Sequence, residues 1–511
     1  MKNFMRFNFF MNLHKGNTLN TYHFPNITIL QSYPKTNQNM RKRALLITII
    51  TLLQFSNLLT AQVQGKWHGK LIMNPTSSLT IAFEIKQHEN GKFIALMHSV
   101  DQRAFNIEVD SVIVADNSIK IALSSLRADY QGSFKSDKEI AGSMIFSKTT
   151  KMELNLTRVE EFPFKVAGRP QEPKEPLPYI SENVVFENKA DNIKLAGTLT
   201  IPDKKGKYPA VVLISGSGPS DRNQTIFGHK TFLVLSDMLT RAGFAVLRYD
   251  DRGAGESEGV FINTTNKEHA ADASAAAEFL KTMPFIDAGK VGLLGHSLGA
   301  DIAPVAASIN RSLSFVILMA GSASPLTEDI VEQCDAIYPA MGVSKAGTDL
   351  NRDILYRMFE IIKEADNITI AKERAIKALE EFEPRAAQLS PEDKKMLGYR
   401  TPLNINSWRD FFAPHMKYDL FHKNADYFSK VKCPVLVLGG EKDLQVLPRH
   451  VKLIKEGLEK GGNKKVTAIL YPGKNHLMQD GATGELSEYG EIENTIAPDV
   501  VADIVNWIKN L

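Results

Sequence analysis

Cysteine is scarce in this 511-residue chain, which contains only Cys334 and Cys433. Two cysteines do not form a disulfide framework, and they lack the spacing that a cysteine-ligated metal site needs. Cys433 stands just before an apolar segment, where a thiol behaves as a small buried hydrophobic side chain. We therefore expect neither disulfide stabilisation nor a cysteine-based metal centre.

Acidic residues are absent from residues 1–61, which hold seven Lys and Arg residues. The whole chain has 61 basic and 58 acidic residues, so 54 basic and 58 acidic residues follow this segment, a formal charge of −4. A mildly acidic protein offers no broad positive surface for nucleic acid. We expect no nucleic-acid partner.

Long apolar runs are also missing, apart from a short one near the start. Met40–Arg43 is basic, Ala44–Leu59 is apolar, and Leu59-Thr60-Ala61 precedes Gln62, as in a signal peptide with its cleavage site. The apolar core is short and Thr-rich for a membrane span. We expect a leader and signal peptide over 1–61, translation from Met40, and export to the periplasm or beyond. No cysteine stands directly after the apolar core, so a lipid anchor is not expected. The alternative to a cleaved signal peptide is an uncleaved membrane anchor.

Residues 62–160 form short alternating segments separated by turn formers, such as Ser118–Leu123 after Asp116-Asn117. A period of two at this spacing predicts an antiparallel all-β domain of about eight strands, either a small barrel or a sandwich. No catalytic cluster occurs in it, so we expect an accessory or binding role. A linker over 161–182, stiffened by five prolines, separates it from the rest of the chain.

From 183 to 511 the pattern changes to buried apolar strands alternating with amphipathic helices. This predicts an α/β fold, a mostly parallel sheet covered by helices on both faces. Between about 325 and 420 no strand is predicted, and Ile354–Ile362 has helical spacing. We interpret this insertion as a helical cap over the active site, the alternative being a peripheral decoration.

A candidate nucleophile follows the apolar run Val291–Leu294, in the sequence Gly295-His-Ser-Leu-Gly299. The pattern G-x-S-x-G after a strand and before a helix is the nucleophile elbow, which exposes a serine at a sharp turn. Glycines are needed because side chains would clash inside that turn. Ser297 is therefore the predicted nucleophile, and the backbone N–H of Leu298 is a predicted oxyanion donor.

A serine nucleophile needs a base and an orienting acid, which follow it in the chain in this topology. The loop Gly439–Val446 offers two carboxylates; we choose Asp443, with Glu441 as second choice. His476 follows the next strand and is the predicted base. His450 is expected to be solvated, and His296 to be a filler residue of the elbow.

The second oxyanion donor should come from the glycine-rich loop Ser215–Asn223, and the Ser217 N–H is the best candidate. A phosphate-binding loop is the alternative, but no Gly-Lys-Ser/Thr pattern follows and the dinucleotide spacing is not met. The charged stretch Arg248–Ser257 is interpreted as a structural turn whose Asp and Arg residues hold neighbouring loops.

Together these motifs resemble the α/β-hydrolase superfamily and, within it, the EstD-type serine esterases of bacteria. The resemblance covers about 183–511, and the β-rich region looks like their amino-terminal domain. It rests on five motifs: Gly216–Arg222, Arg248–Gly253, Gly295–Gly299, Gly440–Val446 and Pro472–Leu477. It implies the triad Ser297, Asp443 and His476, with oxyanion donors at Ser217 and Leu298. Asn223 departs from the pattern, where a second Asp is common.

We therefore expect an exported serine hydrolase that cleaves carboxylic esters through an acyl-serine intermediate, without metal or organic cofactor. Its substrate would be a small-molecule or glycan-linked ester. A serine peptidase or amidase on the same fold is the enzymatic alternative. A glycan-binding protein with a vestigial hydrolase domain is an alternative of another class. Acyl length, alcohol partner and oligomeric state stay open.

Overall fold

The computed structural model describes residues 63–511 except 75–76, 89–90, 103, 116, 127, 147–149, 165–167 and 401. The leader and signal peptide expected over 1–61 lie outside the described residues. No helix within the described ranges has the length and apolar character needed to cross a membrane. Both cysteines are free thiols.

The first domain is a closed barrel, one of the two all-β architectures expected. Its sheet runs in the order β10-β1-β2-β3-β5-β6-β7-β8-β9, with β4 on β3, and β10 also pairs with β8 to close the ring. Trp67, Phe83 and Tyr130 fill its interior. Its strands are β1 Gly65–Asn74, β2 Ser77–Gln87, β3 Phe93–Ser99, β4 Ala104–Glu108, β5 Ser111–Ala115, β6 Ser118–Leu123, β7 Ala128–Phe134, β8 Glu139–Phe146, β9 Thr150–Glu153 and β10 Leu156–Val159.

The second domain is built on an eight-stranded sheet in the order β11-β12-β16-β13-β17-β18-β19-β20. The strands are β11 Ile180–Asn188, β12 Ile193–Ile201, β13 Tyr208–Ile214, β16 Ala245–Tyr249, β17 Ile286–His296, β18 Val316–Met319, β19 Val435–Gly440 and β20 Val466–Tyr471, with a separate hairpin of β14 Thr225–Ile226 and β15 His229–Lys230. The pairs β11–β12 and β12–β16 are antiparallel, and all other pairs are parallel. This confirms the predicted α/β class and the α/β-hydrolase fold.

Helices cover both faces of this sheet, because its central strands are apolar on both sides. One face packs on α2 and α3, and the other on α1 and α11. The helices of the domain, leaving out the insertion, are α1 Thr231–Arg241, α2 Asn266–Lys281, α3 Leu298–Ile309, α9 Arg449–Lys460, α10 Leu486–Tyr489 and α11 Pro498–Lys509. The carboxyl ends of the parallel strands therefore share one rim, at which the loops of interest emerge.

A helical insertion separates β18 from β19. Its helices are α4 Leu326–Ala340, α5 Lys345–Glu364, α6 Ile368–Gln388, α7 Pro391–Met396 and α8 Met416–Asp419, with 3-10 turns at Ile405–Phe412 and Asn424–Lys430. The amphipathic faces of α5 and α6 meet, and their buried side chains form a core separate from the two cores of the sheet. The insertion is thus a folded unit with an interior of its own.

Candidate active site

The turn from β17 into α3 carries Ser297 in a strained backbone conformation, with φ 55° and ψ −124°. Positive φ is uncommon for a residue other than glycine. A Cβ built on Gly295 would overlap the carbonyl group of Gly299, and one on Gly299 would overlap the carbonyl of Ile214. The two glycines are therefore required for the chain to turn here. The Ser297 N–H donates to Met319 O at 2.9 Å, which ties the elbow to β18.

Asp443 and His476 meet at the sheet rim. His476 Nδ1 lies 2.7 Å from Asp443 Oδ2, and the two residues are 4% and 1% exposed. The other carboxylate oxygen of Asp443 accepts from the Gln445 and Val446 amides at 2.8 and 2.9 Å. A carboxylate only accepts, so Nδ1 carries the proton and Nε2 of His476 is left as an acceptor. Glu441, the second choice for the acid, is exposed.

Glycines at the end of β19 let the acid and base loops approach each other. The sequence places Gly439 and Gly440 in the acid loop Gly439–Val446, but both belong to β19. A Cβ on Gly440 would overlap the carbonyl of Lys474, and the Lys442 amide donates to that same carbonyl at 2.9 Å. The glycine is therefore needed for close approach of the two backbones.

His296 does more than fill the elbow. Its Nε2 donates to the carbonyl oxygen of His476 at 3.0 Å, and Gln224 Nε2 lies 2.8 Å from its Nδ1. Burial lowers the pKa of His296 to about 3, so the ring is neutral and Nδ1 accepts from Gln224. His296 thus links the loop of His476 to the hairpin region, a role that no local signal in the sequence shows.

The glycine-rich loop after β13 lies against the elbow. Built on Gly216, a Cβ would be 3.3 Å from the Ser297 Cβ. Ser217 and Leu298 line one cavity together with Ser297 and His476. Within the described ranges, neither the Ser217 amide nor the Leu298 amide donates to a protein acceptor. Both predicted oxyanion donors therefore remain available beside the nucleophile.

Two aspartates of the turn after β16 hold that loop, which confirms the interpretation of the turn as structural. Asp251 accepts from Ser215 Oγ at 2.6 Å and from the Ser220 amide at 2.9 Å. Asp250 accepts from the backbone amide and the guanidinium of Arg222. Burial raises the pKa of Asp251 to about 7, and the nearby carboxylates of Asp272 and Asp250 add to the shift. The hydrogen bonds from the Ser215 hydroxyl and the Ser220 amide lower the pKa only in part.

The cavity over Ser297 has a volume of about 360 Å³. The helix α4 of the insertion contributes Leu326, Asp329, Ile330 and Gln333 to its lining. The insertion therefore contributes directly to the cavity, as a cap does. The sheet side contributes Leu298, Val446 and Leu477, and the hairpin contributes Ile226 and Phe227. The lining therefore combines apolar side chains from three parts of the molecule with polar side chains such as Gln224 and Gln445, as small-molecule sites do.

Two partly buried carboxyl groups lie among the polar groups of this cavity, and sequence reasoning missed them. Asp301 accepts from the Ser322 amide and from Asn424 Nδ2 at 2.8 and 2.9 Å, and Asp329 accepts from Ser322 Oγ at 2.6 Å. Burial raises the pKa of Asp329 to about 7 and that of Asp301 well above its usual value. Asp329 therefore holds a proton in weakly acidic solution.

His450, expected to be solvated, is 1% exposed. Its Nδ1 accepts from the Ala323 amide at 3.2 Å, and its Nε2 lies 3.2 Å from Glu332 of α4. Burial lowers the pKa of His450 to about 4, so it is a neutral bridge between α9 and the cap. Across the described residues, no group of three or more His, Cys, Asp or Glu side chains is arranged to hold a metal ion.

Known proteins similar to this chain include hydrolases. Esterase EstD of Thermotoga maritima is 27% identical over 443 residues, which are 84% of this chain and 94% of that protein. Thiohydrolase apmlB of Arthrinium phaeospermum is 30% identical over 150 residues, which are 29% of this chain and 45% of that protein. Among solved structures, the Pyrococcus furiosus esterase Pf2001 is 15% identical with a TM-score of 0.40, over 68% of this chain and 98% of its own.

A family model described as X-Pro dipeptidyl-peptidase (S15 family) matches residues 191–476, more than half of the chain. The matched range contains the elbow and the loops of Asp443 and His476, and its last residue is His476 itself. The chain therefore belongs to the S15 family and is a hydrolase of the α/β-hydrolase type.

Proposed function

We propose that this protein is a serine esterase that hydrolyses carboxylic esters through a covalent acyl-serine. The observation that carries the proposal is the bonded pair Asp443–His476, which opens onto the same cavity as Ser297 and the free amides of Ser217 and Leu298. A nucleophile, a base with its orienting acid, and amide donors for an oxyanion are the parts that acyl transfer requires. The name of the Thermotoga maritima relative, an esterase, points the same way.

In the proposed mechanism, His476 Nε2 takes the hydroxyl proton of Ser297 while Oγ attacks the ester carbonyl. The Ser217 and Leu298 amides donate to the oxygen as it becomes negative. The protonated His476 then gives its proton to the leaving alcohol oxygen, which releases the alcohol and leaves the acyl-serine. Water, activated by the same imidazole, cleaves the acyl-serine, and Asp443 keeps the proton on Nδ1 throughout.

The description of the matched family makes a dipeptidyl-peptidase the second candidate. Such a substrate presents a free ammonium group, and the cavity contains carboxyl groups of Asp301 and Asp329 that face it. Burial raises the pKa of Asp329 to about 7 and that of Asp301 well above its usual value, which favours the neutral form of both carboxyls, and Ser322 already donates to both. A neutral, already bonded carboxyl is a weak partner for an ammonium ion, which favours the ester.

A side-by-side assay tests the choice. The full chain is incubated with p-nitrophenyl acetate, butyrate and octanoate and with Gly-Pro-p-nitroanilide, and separately with a fluorophosphonate probe whose attachment site is mapped by mass spectrometry. We expect ester turnover, little release of nitroaniline, and labelling at Ser297. Faster cleavage of the anilide would favour the peptidase. Absence of labelling would favour a binding protein with a vestigial hydrolase domain.

We also propose that the protein is exported. The support is the basic-then-apolar pattern of residues 40–61 and the small residue Ala61 before Gln62. Expression of the gene followed by mass spectrometry of the secreted or periplasmic fraction tests this. A mature protein that begins at Gln62 is the expected result, and a chain retained in the cell with its leader intact would contradict it.

A further inference from the structure

The hairpin β14–β15 contributes a wall of the cavity through an unusual turn. Its two central residues, Phe227 and Gly228, both have positive φ, 50° and 76°. Such a pair is what the tight type I′ hairpin turn requires. Asn-Gly is the usual choice, and a bulky aromatic residue in this region is an outlier. Strained residues of this kind cluster at functional sites, which points to a functional role for the Phe227 side chain in the cavity.

The side chain of Phe227 lies between the cavity and a buried tyrosine. Phe227 and Ile226 line the cavity together with Ser297 and His476. The Phe227 ring packs edge-on against Tyr489, with the ring centroids 5.4 Å apart and an angle of 79° between planes. Phe227 therefore presents an apolar surface to the substrate space and rests on a rigid support behind it.

The barrel domain touches the back of this turn. A Cβ on Gly228 would overlap the carbonyl oxygen of Phe105, which lies in β4 of the barrel. Lys230, at the end of the hairpin, forms ion pairs with Glu108 of the same strand and with Glu172, the latter at 3.6 Å. The accessory domain is thus in backbone contact with an active-site wall, more than a hundred residues further along the chain.

The linker completes the enclosure through Arg169. Its Nε donates to Gly228 O at 3.0 Å and one Nη donates to Phe227 O at 3.2 Å. The guanidinium also donates to Ile492 O and Gly490 O, at 3.1 and 3.0 Å, and to the carbonyl of its own neighbour Gly168. All five N–H groups are used, and the contact joins the turn of the hairpin to the segment after α10.

We propose that the barrel and the linker set the substrate selectivity of the enzyme, by fixing the turn 227–228 so that Phe227 is a rigid size limit in the cavity. The inference rests on the proposed esterase activity for its substrates but concerns a different part of the molecule. Phe105 and Arg169 are positioning residues in this scheme, and Phe227 is the residue that meets the substrate. The contacts of Phe105 and Arg169 with the turn 227–228 are called the clamp. When the clamp is lost, Phe227 can move away from the cavity, so kcat/KM for longer substrates rises relative to that for short ones.

The test compares the ratio of kcat/KM for p-nitrophenyl octanoate and acetate in variants of the full chain. Phe227→Ala removes the wall, and we expect it to change this ratio about tenfold in favour of octanoate. Arg169→Ala and Gly228→Ala should shift it in the same direction, with Arg169→Lys intermediate because lysine has fewer donors and no planar fork. A parallel series of acetate esters with alcohols of increasing length shows whether Phe227 limits the acyl part or the alcohol part of the substrate.

Matched controls separate the clamp from general damage. Gly243 also has positive φ, 100°, but a Cβ there would meet no atom within 4 Å, so Gly243→Ala imposes the same strain without the clash. Arg241→Ala removes a surface arginine that forms an ion pair with Asp237 and lies over the ring of Tyr179. Both should leave the ratio unchanged. A purely structural defect lowers both rate constants together and also leaves it unchanged, so the ratio reports the wall alone.

Two outcomes would overturn the proposal, and both can be told apart from a failure of the esterase assignment. The Phe227→Ala variant with wild-type ratios in both series would show that Phe227 sets no limit. A changed ratio in Phe227→Ala, together with wild-type ratios in the Arg169 and Gly228 variants, would show that the barrel and linker do not hold the wall. If the wild type cleaves no ester, labelling rates with fluorophosphonates of short and long alkyl chain replace the two substrates, so failure of the function and of the clamp are told apart.

Discussion

The loops that carry Asp443 and His476 differ from the surfaces that enclose the substrate in how they are built. The loops lie within one domain and are held by backbone contacts, such as the packing of Gly440 on Lys474. The enclosing surfaces come from α4 of the cap and from a hairpin held by the barrel and linker. Chemistry is thus assembled locally, while selectivity is assembled from segments far apart in the chain.

This difference indicates that the catalytic chemistry and the substrate selectivity can change separately. Among the described residues, side chains of α4 and the hairpin make no hydrogen bond to Asp443 or His476, so they can vary while the hydrogen bond between those two residues is kept. Loop glycines have no such freedom, since any Cβ on Gly295 or Gly440 meets a carbonyl group. Substitutions in the two regions should therefore have effects of different kinds and different sizes.

The largest expected effect is that of Ser297→Ala. Loss of the nucleophile should lower kcat for p-nitrophenyl acetate by about a millionfold. The melting temperature should stay close to that of the wild type, because alanine at φ 55° is strained as serine is. Steady-state assays check the change in kcat, and thermal melts check the melting temperature. Retention of most of the turnover would place the chemistry elsewhere and dissolve the distinction between the two regions.

The next effect separates the two carboxylates of the acid loop. Asp443→Asn should present an amide to His476, favour the wrong tautomer and lower kcat by about ten-thousandfold. Glu441→Gln is the matched control, because this side chain is exposed and, among the described residues, accepts only from the Gly473 amide, at 3.2 Å. We expect wild-type activity for it. The reverse result, with Glu441→Gln inactive and Asp443→Asn active, would move the acid to position 441.

A substitution in the cap should alter selectivity with little effect on the chemistry. Ile330→Ala on α4 enlarges the cavity, so kcat/KM for octanoate relative to acetate should rise, by up to about tenfold. Labelling of Ser297 by a small fluorophosphonate should keep its rate. Ile376→Ala is the control, since this cap residue is 47% exposed and lines no part of the cavity. Equal loss of both activities and of labelling would tie the cap to the catalytic loops.

The same division explains what could be predicted from the sequence. The α/β-hydrolase fold and helix α9 at Arg449–Lys460 follow from local patterns that each segment carries within itself. The meeting of Asp443 with His476 follows from topology, because both loops leave the carboxyl ends of neighbouring parallel strands. The roles assigned to Ser297, Asp443, His476, Ser217 and Leu298 stay predictions, of which the assays above test those of Ser297 and Asp443.

What the sequence could not show depends on contacts between distant segments. His450 looks solvated in its helix, but contacts with Ala323 and with Glu332 of α4, both over a hundred residues earlier, bury it. Gly439 and Gly440 look like a turn, whereas Gly440 is required by the backbone of a later loop. Nothing near Phe227 reveals that the barrel holds its turn. Local patterning identifies elements, but it does not tell which elements press on one another.

The smallest expected effect concerns pH and the carboxyl of Asp329 at the edge of the cavity. Its pKa is about 7 in the folded protein and near 4 in the unfolded chain, so between these values the folded state keeps a proton that the unfolded state has lost. Stability contributed by this group therefore falls as pH rises from about 4 to 7. Asn does not ionise and still accepts from Ser322, so the melting temperature of Asp329→Asn should match the wild type near pH 4 and exceed it by a few degrees at pH 8. Asp410→Asn should show no such trend, because the Asp410 side chain is 93% exposed. A difference between Asp329→Asn and wild type that stays constant from pH 4 to 8 would mean that the pKa of Asp329 is the same in the folded and unfolded protein.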